Sequence, residues 1–249
     1  MRKFGLIGYP LGHSFSKKYF TEKFLKEGIT DCMYENYPID SIDRLPSLIN
    51  TEKPDGLNVT IPYKSLVIRF LDGIDSEAAV IGAVNVIRIK KEGDKHSLYG
   101  FNSDITGILD TLKPFSGIVP KSALVLGSGG SSRAVCHVLK KMGFIYSVVS
   151  RAPGEGCLSY GDLTRSLIQG TGIIINTTPL GMYPDVTSKP PLDYDLLTDR
   201  HVLFDLVYNP EITAFLGEGK KRGCTVLTGL TMLYSQAERS WQIWNDREL

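Results

Sequence analysis

At 249 residues, with 42% hydrophobic and 22% charged residues, the chain is long enough to bury one large core or two modest ones. A formal charge of +1 excludes a broad nucleic-acid surface, which needs a basic excess, so any basic site is local. No apolar run reaches the ~20 residues that cross a bilayer, and the first residues lead into a short apolar segment broken by Gly8 and Pro10 rather than a signal-peptide core, which predicts a cytoplasmic protein.

Phe4 to Ile7 forms a first apolar run, followed by the turn-rich loop Gly8-Tyr9-Pro10-Leu11-Gly12-His13-Ser14-Phe15-Ser16. A helix starting near Ser16 carries Phe20, Phe24 and Leu25 inward. Ser16 is either the N-cap of that helix or, with Ser14, one of a pair of hydroxyls that a strand end offers to a polyol or carboxylate. Residues 32–39 and 57–60 read as strands around a helix over 41–50. The second of these strands runs into Asn58-Val59-Thr60-Ile61-Pro62-Tyr63-Lys64, where Pro62 suits the first turn of a following helix. Lys64 is then either a solvated surface charge or part of a site at the strand ends, where open α/β sheets bind ligands.

Gly82-Ala83-Val84-Asn85-Val86-Ile87 opens a strand with an amide side chain among small and apolar residues, and a buried amide needs partners. A further strand from residue 97 ends in Gly100-Phe101-Asn102-Ser103-Asp104. Asp104 either complements the dipole of a helix over 105–112 or sits opposite Lys64. The composition then shifts, which places a domain change within 103–121.

Ala123-Leu124-Val125-Leu126-Gly127-Ser128-Gly129-Gly130-Ser131-Ser132-Arg133-Ala134 reads as strand, tight turn and helix, either a plain strand-to-helix turn or a cradle for a dinucleotide pyrophosphate, with Ser132 standing where a strict fingerprint has glycine or alanine. The next strand, 145–149, ends in Ser150-Arg151. At this position an acid reads a free 2′-hydroxyl and an arginine a 2′-phosphate, so Arg151 points to NADP. A helix near 160–168, strands over 173–176 and 202–206, a helix over 213–221 and a short strand near Val226 continue the alternation and predict a second parallel sheet. The last helix, 230–245, carries an apolar stripe of Leu230, Leu233, Ala237, Trp241 and Trp244, with Gln236 at its border. The cysteines Cys32, Cys136, Cys157 and Cys224 and the histidines show neither paired nor ligand spacing, so reduced thiols and no metal are expected.

Taken in order, these motifs resemble the shikimate dehydrogenases over nearly the whole chain: the loop ending in Ser14-Phe15-Ser16, the Lys64 motif, Gly82-Ala83-Val84-Asn85, Gly100 to Asp104, and the Gly127 cluster. Asn176-Thr177-Thr178-Pro179-Leu180-Gly181-Met182, Asp205-Leu206-Val207-Tyr208 and Gly229 through Gln236 complete the set. The resemblance implies a substrate domain with a mostly parallel sheet over 1–103 plus 231–249, a Rossmann-type NADP-binding domain over 104–230, and a last helix returning to the first domain. It implies reduction of 3-dehydroshikimate with NADPH, with Lys64 and Asp104 as the catalytic pair. Ser14, Ser16, Thr60, Asn85, Tyr208 and Gln236 would contact the carboxylate and hydroxyls of the substrate. Gly127, Gly129, Gly130 and Ser131 would hold the pyrophosphate, Ser150 and Arg151 the 2′-phosphate end, and Leu206 and Gly229 the nicotinamide side.

The chain departs from that pattern at Ser150, where asparagine is common, at Val86, where threonine is frequent, and at Thr231, where a glycine precedes Met232. The nearest alternative expectation is a quinate/shikimate dehydrogenase with relaxed cofactor use. A catalytically silent, nucleotide-responsive module on the same fold is the alternative of another class, against which the joint presence of Lys64 and Asp104 argues. The expected partner is a small-molecule substrate, with neither nucleic acid nor membrane, and the chain is compatible with a monomer or a homodimer.

Overall fold

The computed structural model describes residues 1–11, 15–93 and 95–246. The chain divides into two compact units, Met1–Ser103 with Ala237–Leu249, and Asp104–Gln236.

The first unit contains β1 (Arg2–Gly8), α1 (Phe15–Lys26), β2 (Cys32–Pro38), α2 (Leu45–Glu52), β3 (Gly56–Val59), β4 (Gly73–Ile74), α3 (Ser76–Ile81), β5 (Val86–Glu92) and β6 (Lys95–Phe101). Its sheet has the order β2-β1-β3-β5-β6-β4. The β1 pairings with β2 and β3 and the β4 pairing with β6 are parallel, whereas β5 runs antiparallel to both β3 and β6. Alternation along β1 feeds two cores, one on each face. Ile7 joins Leu45 and Ile49 of α2 with Leu57 and Ile87 on one side. Phe4 and Leu6 join Phe20, Phe24 and Tyr34 with Trp244 of the C-terminal helix on the other. Trp244 stacks on Phe4 at 4.7 Å and donates its indole N–H to the Ile87 carbonyl at 3.1 Å. Only a glycine at position 56 lets that ring so close, because a Cβ there would lie 2.4 Å from it.

The second unit contains α4 (Asp104–Leu112), β7 (Ser122–Leu126), α5 (Gly130–Lys141), β8 (Ile145–Val149), β9 (Cys157–Leu158), α6 (Arg165–Gln169), β10 (Ile173–Asn176), β11 (Val202–Asp205), α7 (Ala214–Lys221) and β12 (Thr225–Leu227). The last helix, α8 (Gly229–Asn245), belongs to this unit as far as Gln236. All its strand pairings are parallel, in the order β12-β11-β10-β7-β8-β9. The strand order reverses between β7 and β10, and that switch point opens a crevice at the strand ends. The glycine turn after β7 lies there. Both sheets belong to the expected α/β class.

Several local expectations are corrected. Leu25 is 84% exposed, since the inward face of α1 is set by Phe20 and Phe24 and one further residue turns the side chain about 100° away. Pro62 starts no helix: it lies inside a turn, and the next helical turn is a 3₁₀ segment, Leu66–Phe70. The helix expected over 41–50 is a 3₁₀ turn, Ile42–Arg44, capped by Ser41, followed by α2. The helix expected over 160–168 breaks into a 3₁₀ turn, Tyr160–Asp162, and α6, because Thr164 caps a new start by accepting from the Leu167 amide. Asn85 lies just before β5 rather than inside it. Ser16 is the second residue of α1, and Ser14 lies outside the described residues.

Candidate active site

In the first unit the ends of β1 and β3 are locked together. The Thr60 amide donates to the Ile7 carbonyl at 2.9 Å, and a Cβ at Gly8 would meet the Thr60 methyl at 2.4 Å. The turn carrying Lys64 is anchored by the neighbouring Tyr63, which is buried and donates its phenol to the Ile39 carbonyl at 2.6 Å. The Lys64 carbonyl accepts from the Val84 amide at 2.7 Å, and the Asn85 carbonyl accepts from the Val59 amide at 2.8 Å. Those two bonds place Thr60, Lys64 and Asn85 on one connected stretch of backbone.

The side chain of Asn85 is fixed as firmly as its backbone. It is 2% exposed, its Oδ1 accepts from the Ser103 amide at 2.7 Å and its Nδ2 donates to the Ser103 hydroxyl at 3.1 Å. Burial of an amide is tolerable only with such partners. The adjacent Asn102 donates its side-chain amide to the Ala83 carbonyl at 2.9 Å, so the 83–85 strap is held from both sides. Beneath α1 the Tyr34 phenol donates to Asn58 Oδ1 at 2.8 Å, and its burial pushes it far above the ordinary tyrosine range. Asp104, the first residue of α4, is buried in the second unit.

The second unit supplies an anion cradle. Gly127 adopts φ +112°, its amide donates to the Val149 carbonyl at 2.8 Å, and a Cβ on it would lie 2.6 Å from the Thr177 hydroxyl oxygen. Thr177 in turn donates its amide and hydroxyl to the Leu126 carbonyl at 2.9 and 2.7 Å. Gly129 caps α5 without a side-chain bond, and the first intrahelical bond joins the Arg133 amide to the Gly129 carbonyl at 3.1 Å. The amides of Gly130, Ser131 and Ser132 precede that bond at the positive end of the helix dipole, where an anion is favoured. Ser132 is accommodated at a close-packing position, where it is 2% exposed. A dinucleotide pyrophosphate fits this turn, because the space a Cβ would fill at Gly129 is open and backbone donors line the start of α5.

At the end of β8, Ser150 lies 3.2 Å from the Ser128 hydroxyl, and Arg151 is exposed. Leu206 and Gly229, both expected on the nicotinamide side, come together: a Cβ on Gly229 would sit 2.5 Å from the Leu206 carbonyl oxygen. Behind them Asp205 accepts from Asn176 at 3.0 Å, from the Val207 amide at 2.9 Å and from Thr213 at 2.6 Å. Burial still pushes its carboxyl up to about 6. Tyr208 follows, half-buried, with its phenol raised by burial, and Gln236 is half-buried on α8. Among the described residues no three His, Cys, Asp or Glu side chains converge to hold a metal.

Sequence reasoning passed over Tyr34, Asn58 and Ser240, which the fold buries together. Asn58 carried the same signal as Asn85, an amide in an apolar strand. Tyr34 and Ser240 carried none, because their partners come from distant parts of the chain.

A family model described as the shikimate dehydrogenase substrate binding domain matches residues 6–87. A relative named shikimate dehydrogenase (NADP(+)) from Methanococcus aeolicus is 35% identical, covering 96% of this chain and 90% of that protein. A protein of the same name from Shouchella clausii is 38% identical over 99% of this chain and 94% of its own length. The crystal structure of shikimate 5-dehydrogenase from Thermus thermophilus in complex with NADP(H) and shikimate superposes with a TM-score of 0.84 at 31% identity, covering 98% of this chain and 94% of that one. With the glycine cradle at the switch point and the pinned Asn85 beside the Lys64 turn, these likenesses leave one assignment: the chain belongs to the shikimate dehydrogenase family.

Proposed function

We propose that the protein catalyses the reversible, NADP-dependent reduction of 3-dehydroshikimate to shikimate, the oxidoreductase step of chorismate biosynthesis. The observation that carries the reading is the fixed Asn85 amide on the backbone it shares with Thr60 and Lys64. A rigid array of hydroxyl and amide groups around one lysine suits a small polyhydroxylated acid, whose hydroxyls and carboxylate need fixed partners.

NADPH, when bound, supplies the hydride. Gly127, Gly129, Gly130 and Ser131 hold its pyrophosphate, Ser150 and Arg151 its 2′-phosphate end, and Leu206 and Gly229 its nicotinamide side. Reduction of a ketone leaves an alkoxide that must gain a proton, and oxidation of the alcohol must remove it. Lys64 serves both directions: its ammonium offsets the negative charge developing on oxygen and donates, and its neutral amine accepts on the way back. Asp104 orients the lysine and accepts from a substrate hydroxyl. Ser14, Ser16, Thr60 and Asn85, with Tyr208 and Gln236, hold the carboxylate and remaining hydroxyls. The motif positions of Lys64 and Asp104 support that pairing.

We place the protein in the cytoplasm, as a monomer or homodimer. Free cysteines fit a reducing compartment, and no helix among the described residues is long and apolar enough to cross a membrane. The test is shikimate oxidation followed at the nicotinamide absorbance with NADP and with NAD, and with quinate in place of shikimate. Shikimate- and NADP-dependent turnover is expected. NADPH binding without such turnover overturns the reading in favour of a silent binding module.

A further inference from the structure

A buried chain of side-chain hydrogen bonds runs through the first unit from Tyr34 to Asn85. The Tyr34 phenol donates to Asn58 Oδ1 at 2.8 Å. Asn58 Nδ2 donates to Ser240 Oγ at 3.0 Å, and Ser240 Oγ lies 3.1 Å from Ser103 Oγ. Ser103 then holds the Asn85 amide through the bonds already described. Asn58 spends its carbonyl on Tyr34 and its NH₂ on Ser240 and on the Asn85 carbonyl at 3.3 Å. Ser240 Oγ thus accepts from Asn58 and shares a hydrogen bond with Ser103 Oγ, which also reaches Asn85 Oδ1 at 3.3 Å.

Ser240 is the member of this chain that a distant segment supplies. It sits on the part of α8 that belongs to the first unit, 182 residues from Asn58 and 137 from Ser103, and is wholly buried. Its surroundings offer no solvent to replace a lost bond, and a buried network left half-satisfied relaxes as a unit. Tyr34 is held equally well, with its ring stacked on Phe20 at 4.6 Å.

We propose that Ser240 is a positioning residue for substrate binding: backed by Asn58 and Tyr34 on one side, it braces Ser103 on the other and through it sets the orientation of Asn85. The proposal rests on the reading of Asn85 as a substrate contact. The experiment is steady-state kinetics of Ser240→Ala, Asn85→Ala and the double variant in the full-length enzyme, with a thermal melt of each. Ser240→Ala is expected to raise the shikimate KM about tenfold, equivalent to about 1.4 kcal/mol. Its NADP KM stays as in the parent and its kcat remains within about threefold. Added to Asn85→Ala, it changes the shikimate KM less than about twofold, because the group it orients is gone.

A Ser240→Ala protein that melts earlier but keeps its shikimate KM overturns the proposal, as does full additivity in the double variant. An unchanged shikimate KM in Asn85→Ala identifies the underlying reading as what fails. Should Ser240→Ala not fold, Tyr34→Phe removes one hydroxyl from the same chain and keeps the ring stack. A folded Tyr34→Phe protein with the parental shikimate KM overturns the proposal as well.

Discussion

Ser103 grips Asn85 at both ends of its amide, with the Ser103 amide donating to Oδ1 at 2.7 Å and its hydroxyl accepting from Nδ2 at 3.1 Å. The grip fixes which face of the amide is carbonyl and which is NH₂, so Asn85 meets a ligand without first being ordered. Loss of hydrogen bonds to a fixed partner costs about 1.5–3 kcal/mol when charged or buried groups are left behind. Asn85→Ala is therefore expected to raise the shikimate KM by about 10- to 100-fold. Initial rates at saturating NADP measure it, and a change below about twofold removes Asn85 from the substrate contacts.

Lys64 sits in the turn after β3, its carbonyl tied to the Val84 amide at 2.7 Å. The backbone therefore holds its place whatever side chain stands there. Lys64→Met preserves the stem and deletes the ammonium. Proton transfer by a positioned group contributes roughly 10²- to 10⁴-fold, so kcat is expected to fall by that much in both directions, with a smaller change in shikimate KM. Turnover near the parental value would leave the proton to another group.

Arg151 follows the end of β8 and is exposed. A guanidinium on a 2′-phosphate is worth about 1.5–3 kcal/mol. Arg151→Ala is expected to raise the KM for NADP by about 10- to 100-fold and to leave the KM for NAD unchanged. Parallel titrations with the two cofactors read the difference. Equal use of both by the parent enzyme contradicts the selectivity assigned to Arg151.

Elements bounded by local signals were legible in the sequence: apolar runs between turn formers mark β8 and β10 residue for residue, and the glycine cluster marks the turn between β7 and α5. What escaped depends on partners far along the chain. The two-residue strands β4 and β9 exist only because β6 and β8 offer an edge. Leu25 follows the buried Phe24 and faces solvent, since the register of α1 is decided by what packs on it. Asn85 announces itself as an amide needing partners, but that the partner is Ser103 and that Ser240 stands behind it follows only once α8 has docked. The corrected role of Pro62 has the same root: a proline after a strand fits a first helical turn and a tight turn equally well, and Tyr63 reaching the Ile39 carbonyl selects the turn.

Gly127 offers a test of the cofactor cradle that is independent of Arg151. At φ +112° a side chain is strained, and its Cβ would stand 2.6 Å from the Thr177 oxygen that ties β10 to β7. Gly127→Ala is expected to cost about 1–3 kcal/mol in stability, a fall in Tm of roughly 2–12 °C, and to weaken NADP binding. Thermal melts with and without NADP measure both. A variant that melts like the parent and is stabilised as much by NADP would show that the turn tolerates the Cβ.

Asp205 gives the second unit a pH dependence of defined sign. Its carboxyl titrates at about 6 in the folded protein against an ordinary 3.8, chiefly because it is buried, although Thr213, the Val207 amide and Asn176 all hydrogen-bond it. The folded state thus holds the proton more tightly than the unfolded chain. The stabilisation this confers is complete below the ordinary value and is lost as pH rises toward about 6, by an amount on the order of 3 kcal/mol. Asp205→Asn stays neutral throughout, and Thr213 can rotate its hydroxyl to accept from the new NH₂. Relative to the parent, the variant is therefore expected to gain stability as pH rises from about 4 to about 6 and to hold a constant difference above that range. Thermal melts of the two proteins across that interval read the difference directly. A difference that does not change with pH would mean that Asp205 is ionised in the folded protein throughout, with its hydrogen bonds outweighing its burial.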